Sequence, residues 1–170
     1  MFRRWVSISG KKSILLLGPR RAGKSTLIKQ LFPSYRYVNL DDLDELEQSR
    51  RDPKGWLLEL GKSVVIDEAQ RAPEIAIPLK KVIDDEGAHY VLSGSTGLGL
   101  FQKTTETLAG RVEIQQLPPC CFGEDKGEPL HSLDRSMVNT KRHREAQREL
   151  KDFCQFGGFP EVLTQDSPHE

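Results

Sequence analysis

No apolar segment of this chain is long enough to cross a membrane as a helix. The longest aliphatic run is Ile14 to Leu17, whereas a membrane-spanning helix needs about 20 apolar residues. No long apolar stretch follows the basic Arg3 and Arg4 either, so a secretory signal peptide is not indicated. We therefore expect no membrane partner and a cytoplasmic location.

An excess of charge of either sign is also missing. Lys plus Arg number 25 and Asp plus Glu number 25, which gives a formal net charge of zero. This balance excludes a basic nucleic-acid coat and an acidic tail, although a local patch remains possible. Cysteine is scarce, and the adjacent Cys120 and Cys121 lack the two-residue gap typical of metal-binding thiolate pairs. Free thiols in a reducing compartment are expected.

What the 170 residues do contain is an alternation of strand and helix patterns in about one domain's length. Short apolar segments that end in glycine or polar residues are typical of strands in a parallel sheet, and they lie at 14–17, 37–40, 64–66, 90–92 and 112–117. Helix patterns separate them, at 24–32, 41–47, 55–60, 73–87 and through Leu100 and Leu108. Such alternation implies βαβ units with right-handed crossovers. The predicted fold class is α/β, a three-layer α/β/α sandwich with a central, mostly parallel five-stranded sheet.

A phosphate-binding loop follows the first predicted strand. Residues 18–25 match the pattern G-x-x-x-x-G-K-[ST] in full, between a buried strand and a helix. The glycines let the main chain bend around phosphates, and successive N–H groups form an anion nest at the positive end of the helix. We predict that Lys24 binds the β and γ phosphates and that Ser25 ligates Mg²⁺. The predicted nucleotide-binding residues are Gly18, Pro19, Arg20, Arg21, Ala22, Gly23, Lys24, Ser25 and Thr26.

Two carboxylates end the third predicted strand. Asp67 would lie at the carboxyl edge of a central strand beside a bound Mg²⁺. Glu68 follows it, and hydrolysis needs a group that orients or deprotonates a water in line with the γ-phosphorus. We predict Asp67 as a metal ligand and Glu68 as a catalytic residue; the alternative is that both cap the following helix region or face solvent. Lys24 and Asp67 are 67 − 24 = 43 residues apart, so an additional strand lies between the two motifs.

Ser93 and Arg111 are further candidates for the catalytic group. Ser93, with Ser95 at the end of the fourth strand, could place a hydroxyl near the γ-phosphate as a sensor; a serine-rich turn is the alternative. Arg111, just before the fifth strand, could stabilise transition-state charge within the chain or from a neighbouring subunit. A surface ion pair is the alternative for Arg111.

Together these motifs resemble the predicted prokaryotic AAA-type ATPases, over nearly the whole chain. The resemblance is carried by the phosphate loop and by Tyr-Val-Asn-Leu-Asp-Asp (37–42), Val-Val-Ile-Asp-Glu-Ala-Gln (64–70), Leu-Ser-Gly-Ser (92–95), Leu-Ala-Gly-Arg (108–111) and Phe-Gly-Gly-Phe-Pro-Glu-Val (156–162). It implies ATP as the ligand and the ASCE-type P-loop NTPase fold. It also implies the roles given above for Lys24, Ser25, Asp67 and Glu68, with Ser93 as a sensor and Arg111 as a finger or sensor arginine.

In that family the P-loop domain precedes a C-terminal domain of uncharacterised, nuclease-like fold, which the Phe-Gly-Gly-Phe-Pro segment introduces. Here ten residues follow Pro160. We therefore predict an AAA-like ATPase domain over 1–117, a linker over 118–134, and a charged helical segment with the start of a truncated C-terminal domain over 135–170. Basic residues cluster between 141 and 151 but alternate with glutamates, which favours a solvated charged helix over a DNA-binding surface.

The predicted function is Mg²⁺-dependent hydrolysis of ATP to ADP and phosphate, which drives or switches an unidentified protein partner or an assembly of identical copies. A helicase would need a second RecA-like lobe, and a GTPase would need an Asn-Lys-x-Asp element, which the sequence lacks. A small-molecule kinase would not need Glu68 beside Asp67. The main alternative is a nucleotide-regulated binding module with negligible turnover, acting as a switch for a protein or DNA.

Overall fold

The computed structural model describes residues 4–8, 10–95, 106–127 and 140–164, the last range with side chains from residue 147 onward. The chain divides into two compact units. The first, which we call the sheet unit, comprises Ile8–Arg20 and Lys24–Leu117. The second, which we call the terminal unit, comprises Met1–Ser7, Arg21–Gly23 and Pro118–Glu170.

The sheet unit is built on five parallel strands, as the sequence predicts. They are β1 (Ser13–Leu17), β2 (Arg36–Asn39), β3 (Ser63–Asp67), β4 (His89–Gly94) and β5 (Val112–Gln116). Their order across the sheet is β2-β3-β4-β1-β5, and every neighbouring pair is parallel. Strand β4 therefore lies between β1, which precedes the phosphate loop, and β3, which ends in Asp67.

Both faces of this sheet are covered. Successive side chains of a strand point to opposite faces, and both sets are buried here. One face contributes Leu15, Val64, Ile66, Tyr90 and Leu92 to the main apolar core. The other face carries Ile14, Leu16, Val65 and Val91, none of which is more than 1% exposed. Burial on both faces is the reason that these strands are continuous apolar runs, and it confirms the α/β class.

Helices connect the strands: α1 (Lys24–Leu31), α2 (Leu43–Arg51), α3 (Pro53–Leu60) and α4 (Ala76–Glu86). Helix α2 begins where the Asp42 carboxylate accepts the N–H groups of Asp44 and Glu45, and α3 begins where Asp52 accepts the N–H of Gly55. The predicted start at Gly55 is thus two residues late, since Pro53 occupies the first turn. The predicted helix at Pro73 is also corrected, because 73–75 form a 3₁₀ turn and α4 begins at Ala76.

The terminal unit contains three helices in its described ranges: α5 (Phe122–Asp125), α6 (Thr140–Phe156) and α7 (Pro160–Leu163). Helix α5 lies inside the predicted linker. Its start is fixed by the buried Glu124, which accepts the N–H of Cys121 at 3.0 Å and forms an ion pair with Arg4 at 3.2 Å. The charged helical segment predicted within 135–170 contains α6, which ends at Phe156, directly before Gly157 with its left-handed φ of 87°.

Several predictions fall on residues that the structure does not describe. The predicted helix through Leu100 lies largely outside the described ranges, although its Leu108 is fully buried in the core. The side chains of the predicted basic cluster lie mostly outside them too. Within those ranges, no helix is long and apolar enough to span a membrane.

Candidate nucleotide site

The candidate site lies at the carboxyl edge of the sheet, where β1, β4 and β3 end side by side. Leu17 of β1 pairs with Gly94 of β4, and Ile66 of β3 pairs with Leu92. Because the strands are parallel, the residues that follow them come together at this edge. The phosphate loop leaves β1 here, and its Gly18 donates its N–H to the carbonyl of Gly94 at 3.3 Å.

Two glycines of the loop have different reasons to be glycine. A Cβ on Gly18 would collide with the main-chain carbonyl of Leu117, so this position is set by close packing against the end of β5. Gly23 has φ 89°, a left-handed conformation that other residues seldom adopt. Arg21, two residues earlier, also has positive φ, at 64°. Anion nests are built from successive residues that alternate between right- and left-handed backbone, so these two positive φ values are compatible with one.

Lys24, the first residue of α1, lies folded over the loop. Its ammonium group donates to the carbonyls of Gly18 and Pro19, at 2.9 Å each, and the residue is 6% exposed. Burial lowers the pKa of Lys24, and the nearby carboxylates of Glu68 and Asp67 oppose this without cancelling it. The structure thus holds a partly desolvated cation at the positive end of a helix, where it can attract phosphate.

Asp67 is the centre of a hydrogen-bond network at the end of β3. Its Oδ2 accepts the hydroxyl of Ser25 at 2.6 Å and also the hydroxyl of Tyr37, and its Oδ1 accepts the hydroxyl of Ser93 and the N–H of Glu68. The residue is 3% exposed. Burial alone would raise the pKa of Asp67, but these donors together hold it below its usual value. Asp67 is therefore a buried carboxylate that stays ionised.

The residues around Asp67 fit a magnesium ion. The hydroxyl of Ser25 and the carboxylate of Asp67 offer hard oxygen donors 2.6 Å apart, the ligand type that Mg²⁺ prefers. The described part of the chain holds no group of three or more His, Cys, Asp or Glu side chains arranged to hold a metal ion. A Mg²⁺ ion here would complete its shell with phosphate and water oxygens, as it commonly does.

Glu68 leaves the strand in a strained conformation. Its backbone is left-handed, with φ 55° and ψ 36°, and only one other described residue besides glycines has positive φ. Such a conformation costs on the order of 1 kcal/mol or more and tends to occur at functional sites. Its carboxylate accepts the side-chain N–H of Gln70, whose own carbonyl oxygen is buried with no hydrogen-bond partner among the described residues.

Tyr37 is a part of this site that the sequence analysis missed. Register places Tyr37 beside Val65 and Asn39 beside Asp67, so Tyr37 and Asp67 lie diagonally on one face of neighbouring strands. Burial, followed by the hydrogen bond to Asp67, raises the pKa of Tyr37. In the sequence, Tyr37 stood in the second strand pattern and opened the segment 37–42 that contributes to the family resemblance. Neither signal indicates a contact with Asp67 until the β2–β3 pairing is known.

Comparison with known proteins shows which family the chain belongs to. A family model described as an AAA domain matches residues 10–125. The chain belongs to this AAA-domain family. Membership in this family supports ATP as the nucleotide and the P-loop NTPase class. The family match does not show the nuclease-like C-terminal domain that the sequence analysis expected. No curated protein matches the chain.

The fold of this AAA domain is similar to that of a solved structure from Pyrococcus horikoshii, a Signal Transduction ATPase with Numerous Domains (STAND) protein with a tetratricopeptide repeat sensor. The TM-score is 0.52 at 16% sequence identity, and the match covers 97% of this chain but 31% of that chain. At this identity the likeness concerns the fold alone. The chain therefore spans about a third of the length of that structural neighbour.

Ser93 of the AAA domain lies in the site and contacts Asp67. The residue is fully buried in β4, and its hydroxyl donates to the Asp67 carboxylate. The structure therefore brings the predicted sensor beside the predicted metal ligand. Its role as a γ-phosphate sensor stays a prediction.

Arg111 of the AAA domain lies at the opposite edge of the sheet. It precedes β5, whose Val112 pairs with Ser13 at the start of β1. Four strand steps of about 3.3 Å, roughly 13 Å, separate that edge from the loop. The guanidinium donates to Asp84, with its Nε and Nη2 each 3.1 Å from a carboxylate oxygen. Within one chain, Arg111 therefore lies away from Lys24 and Asp67. What the structure shows for Arg111 is an ion pair with Asp84, the alternative given in the sequence analysis.

The remaining predicted loop residues differ in exposure. Arg20, Arg21 and Thr26 are exposed, whereas Ala22 is fully buried. Within the terminal unit, the carbonyl of Ala22 accepts the guanidinium of Arg4 at 2.8 Å, and Arg21 forms an exposed ion pair with Glu161 at 2.9 Å. Arg4 was not predicted as a contact of the loop, because no local pattern links residues 18 positions apart.

Proposed function

We propose that this AAA domain binds ATP with Mg²⁺ and hydrolyses it to ADP and phosphate. The observation that carries the proposal is the convergence of Lys24, Ser25 and Asp67 at one edge of the sheet, with Glu68 directly after them. A cation over a phosphate loop and an ionised carboxylate beside a hydroxyl are the parts that binding of a Mg²⁺–nucleotide complex needs.

In this proposal the phosphate loop and Lys24 bind the triphosphate. The ammonium group now donates to two neutral carbonyls of its own loop, and phosphate oxygens are stronger acceptors because they carry charge. Ser25 and Asp67 would hold Mg²⁺, which neutralises charge on the phosphates when bound. In the structure the two oxygens proposed to hold Mg²⁺ lie 2.6 Å apart, close enough to bind one ion together.

Glu68 is the residue proposed to act on the attacking water. It orients the water and accepts its proton as the water oxygen bonds to the γ-phosphorus, while the bond from that phosphorus to the bridging oxygen breaks and ADP leaves. The left-handed backbone of Glu68 supports this role, since such conformations tend to occur at functional sites. Gln70 would hold the carboxylate in place through its side-chain N–H.

One observation favours the second candidate function, a nucleotide-regulated switch with little turnover. The carboxylate of Glu68 is already engaged by Gln70, and a carboxylate that stays engaged is less available to a water. In that case ATP binding alone would change what the domain contacts, and hydrolysis would be slow.

An assay of phosphate release separates the two candidates. We expect Glu68→Gln to keep ATP affinity within about twofold of the unmodified protein and to lower hydrolysis by at least about 100-fold. The matched control is Glu47→Gln, the same change at an exposed position on α2, which should leave both quantities unchanged. Equal phosphate release by the unmodified protein and Glu68→Gln would contradict the role of Glu68.

The Asp84 ion pair and the distance from the loop favour a catalytic role for Arg111 from a second copy of the chain over one within the same chain. If an adjacent copy supplies Arg111, hydrolysis per molecule should rise with protein concentration, and Arg111→Ala should remove that rise.

A further inference from the structure

Tyr37 of β2 contacts the proposed metal ligand although it lies outside both the phosphate loop (18–25) and the segment 64–70 that contains Asp67 and Glu68. Its hydroxyl donates to Oδ2 of Asp67, the same oxygen that accepts the hydroxyl of Ser25. Oδ1 is occupied by Ser93 and the N–H of Glu68. Among the donors to the Asp67 side chain in the described structure, Tyr37 is the one from β2; the others come from α1, from β4 and from the residue directly after β3.

The Tyr37 side chain is itself held in place. The ammonium of Lys29, on α1, lies 4.3 Å from the centre of the Tyr37 ring, a cation–π contact. The ring is half-buried between the strand and this helix. Its hydroxyl therefore reaches Asp67 from a fixed direction, and α1 is the same helix whose first turn carries Ser25.

A hydroxyl donor suits a carboxylate that must bind a cation. Lysine or arginine at this position would fix the carboxylate equally well, but its charge would neutralise Asp67 and repel Mg²⁺. A phenol donates one hydrogen bond and leaves the net negative charge in place. Partners that orient a metal ligand in this way typically change metal affinity by 10–100-fold when they are removed.

We propose that Tyr37 is a positioning residue for Mg²⁺ binding, whose hydroxyl fixes the Asp67 carboxylate with Oδ2 beside the Ser25 hydroxyl. This inference rests on the proposed Mg²⁺–ATP function and adds a residue to it. Tyr37 acts through Asp67 and is not expected to contact nucleotide.

The test compares two tyrosines that differ in their partner. Tyr37→Phe removes the hydroxyl and keeps the ring under Lys29. Tyr35→Phe is the matched control: its hydroxyl lies 3.2 Å from Nδ1 of His89, away from Asp67. ATP affinity is measured by isothermal titration calorimetry, once with Mg²⁺ and once with EDTA, and the ratio of the two dissociation constants gives the Mg²⁺-dependent gain.

We expect Tyr37→Phe to lower the Mg²⁺-dependent gain about tenfold, with the affinity in EDTA within twofold of the unmodified protein. At saturating ATP, the Mg²⁺ concentration for half-maximal phosphate release should rise by a similar factor, and kcat at saturating Mg²⁺ should change less than threefold. Tyr35→Phe should leave all three quantities unchanged. A gain in Tyr37→Phe that equals or exceeds that of the unmodified protein would overturn the inference, since the hydroxyl would then be neutral toward the metal or would compete with it.

A double-mutant cycle tests whether the effect passes through Asp67. In an Asp67→Asn background, Tyr37→Phe should change the remaining Mg²⁺-dependent gain by less than twofold. An undiminished tenfold effect in that background would refute the route through Asp67. The unmodified protein separates the two proposals: if it shows no Mg²⁺-dependent gain, both fail, and if it shows one that Tyr37→Phe retains, only this inference fails.

Discussion

Buried polar groups have different partners at the two edges of the sheet, the amino edge where the parallel strands begin and the carboxyl edge where they end. At the amino edge, the Tyr90 hydroxyl donates to the carbonyls of Leu57 and Gly61, and Ser13 accepts the Tyr90 N–H. At the carboxyl edge, three hydroxyls and one N–H converge on the single carboxylate of Asp67. Groups at the first edge complete the hydrogen bonding of the backbone, whereas those at the second hold a charge in place.

The difference shows how a structural tyrosine can be told from a functional one. Burial raises the pKa of Tyr90 to about 12, and its hydroxyl donates to two main-chain oxygens. The partner of Tyr37 is an ionised side chain that is already well supplied with donors. Removing the Tyr90 hydroxyl should therefore affect folding, and removing the Tyr37 hydroxyl should affect ligand binding.

The largest effect at the carboxyl edge is expected from Lys24→Ala. Loss of the buried ammonium removes charge-assisted hydrogen bonds to phosphate, so ATP affinity should fall at least about 100-fold. Calorimetric titration with ATP and Mg²⁺ measures this. Lys54→Ala, at an exposed position of α3, serves as the control. An unchanged ATP affinity in Lys24→Ala would contradict the proposal that the phosphate loop binds the triphosphate.

At the amino edge, Tyr90→Phe should destabilise the fold without changing the ligand affinity of the folded protein. The carbonyls of Leu57, which is buried, and Gly61, which is partly buried, lose the Tyr90 hydroxyl as a donor, which should lower the free energy of unfolding by about 1–3 kcal/mol. Urea unfolding followed by circular dichroism gives this quantity, and ATP titration below the transition gives the affinity. A weakened ATP affinity in the folded protein would contradict the proposal that the amino edge serves stability and the carboxyl edge serves ligand binding.

Gln70→Ala tests the network beyond Asp67. Without the amide that holds its carboxylate, Glu68 should be less ordered, so kcat for ATP hydrolysis should fall about tenfold while ATP affinity stays the same. Gln48→Ala on the exposed side of α2 should change neither value. A rise in kcat would instead mean that Gln70 restrains Glu68, as the switch function requires.

The smallest effect is expected from Arg111→Ala at the amino edge. The pair with Asp84 is partly exposed on both sides, and such pairs contribute roughly 0–1 kcal/mol to stability. The unfolding midpoint should therefore hardly move. At low protein concentration, where copies do not meet, phosphate release should equal that of the unmodified protein, and a loss there would point to a role within one chain.

Local sequence patterns were sufficient to predict the strands, the phosphate loop and the position of Asp67. Buried strands and the phosphate loop are contiguous in sequence, so the apolar run before Gly18 and the helix pattern after it predict their own structure. Asp67 could be placed at the carboxyl edge because it ends a strand. The same rule, applied to Arg111, would have placed it at the amino edge, since it precedes a strand.

What the sequence could not predict depends on pairing between distant segments. The contact of Tyr37 with Asp67 needs the β2–β3 register, and a shift of one residue would turn the ring to the other face. Helix α5 was predicted as linker because its stabilising contacts come from the chain start: Glu124 accepts the N–H of Trp5 and pairs with Arg4. No pattern within a short window carries such information.

The first glycine of the phosphate loop has a practical consequence for mutagenesis. An alanine there would push its methyl group into a main-chain oxygen of the fifth strand's far end, and backbone cannot yield as a flexible side chain can. A variant at that position would report a misfolded sheet even if nucleotide never touched it. Loss of activity in such a variant is therefore no measure of phosphate recognition, and Lys24 is the safer position to change.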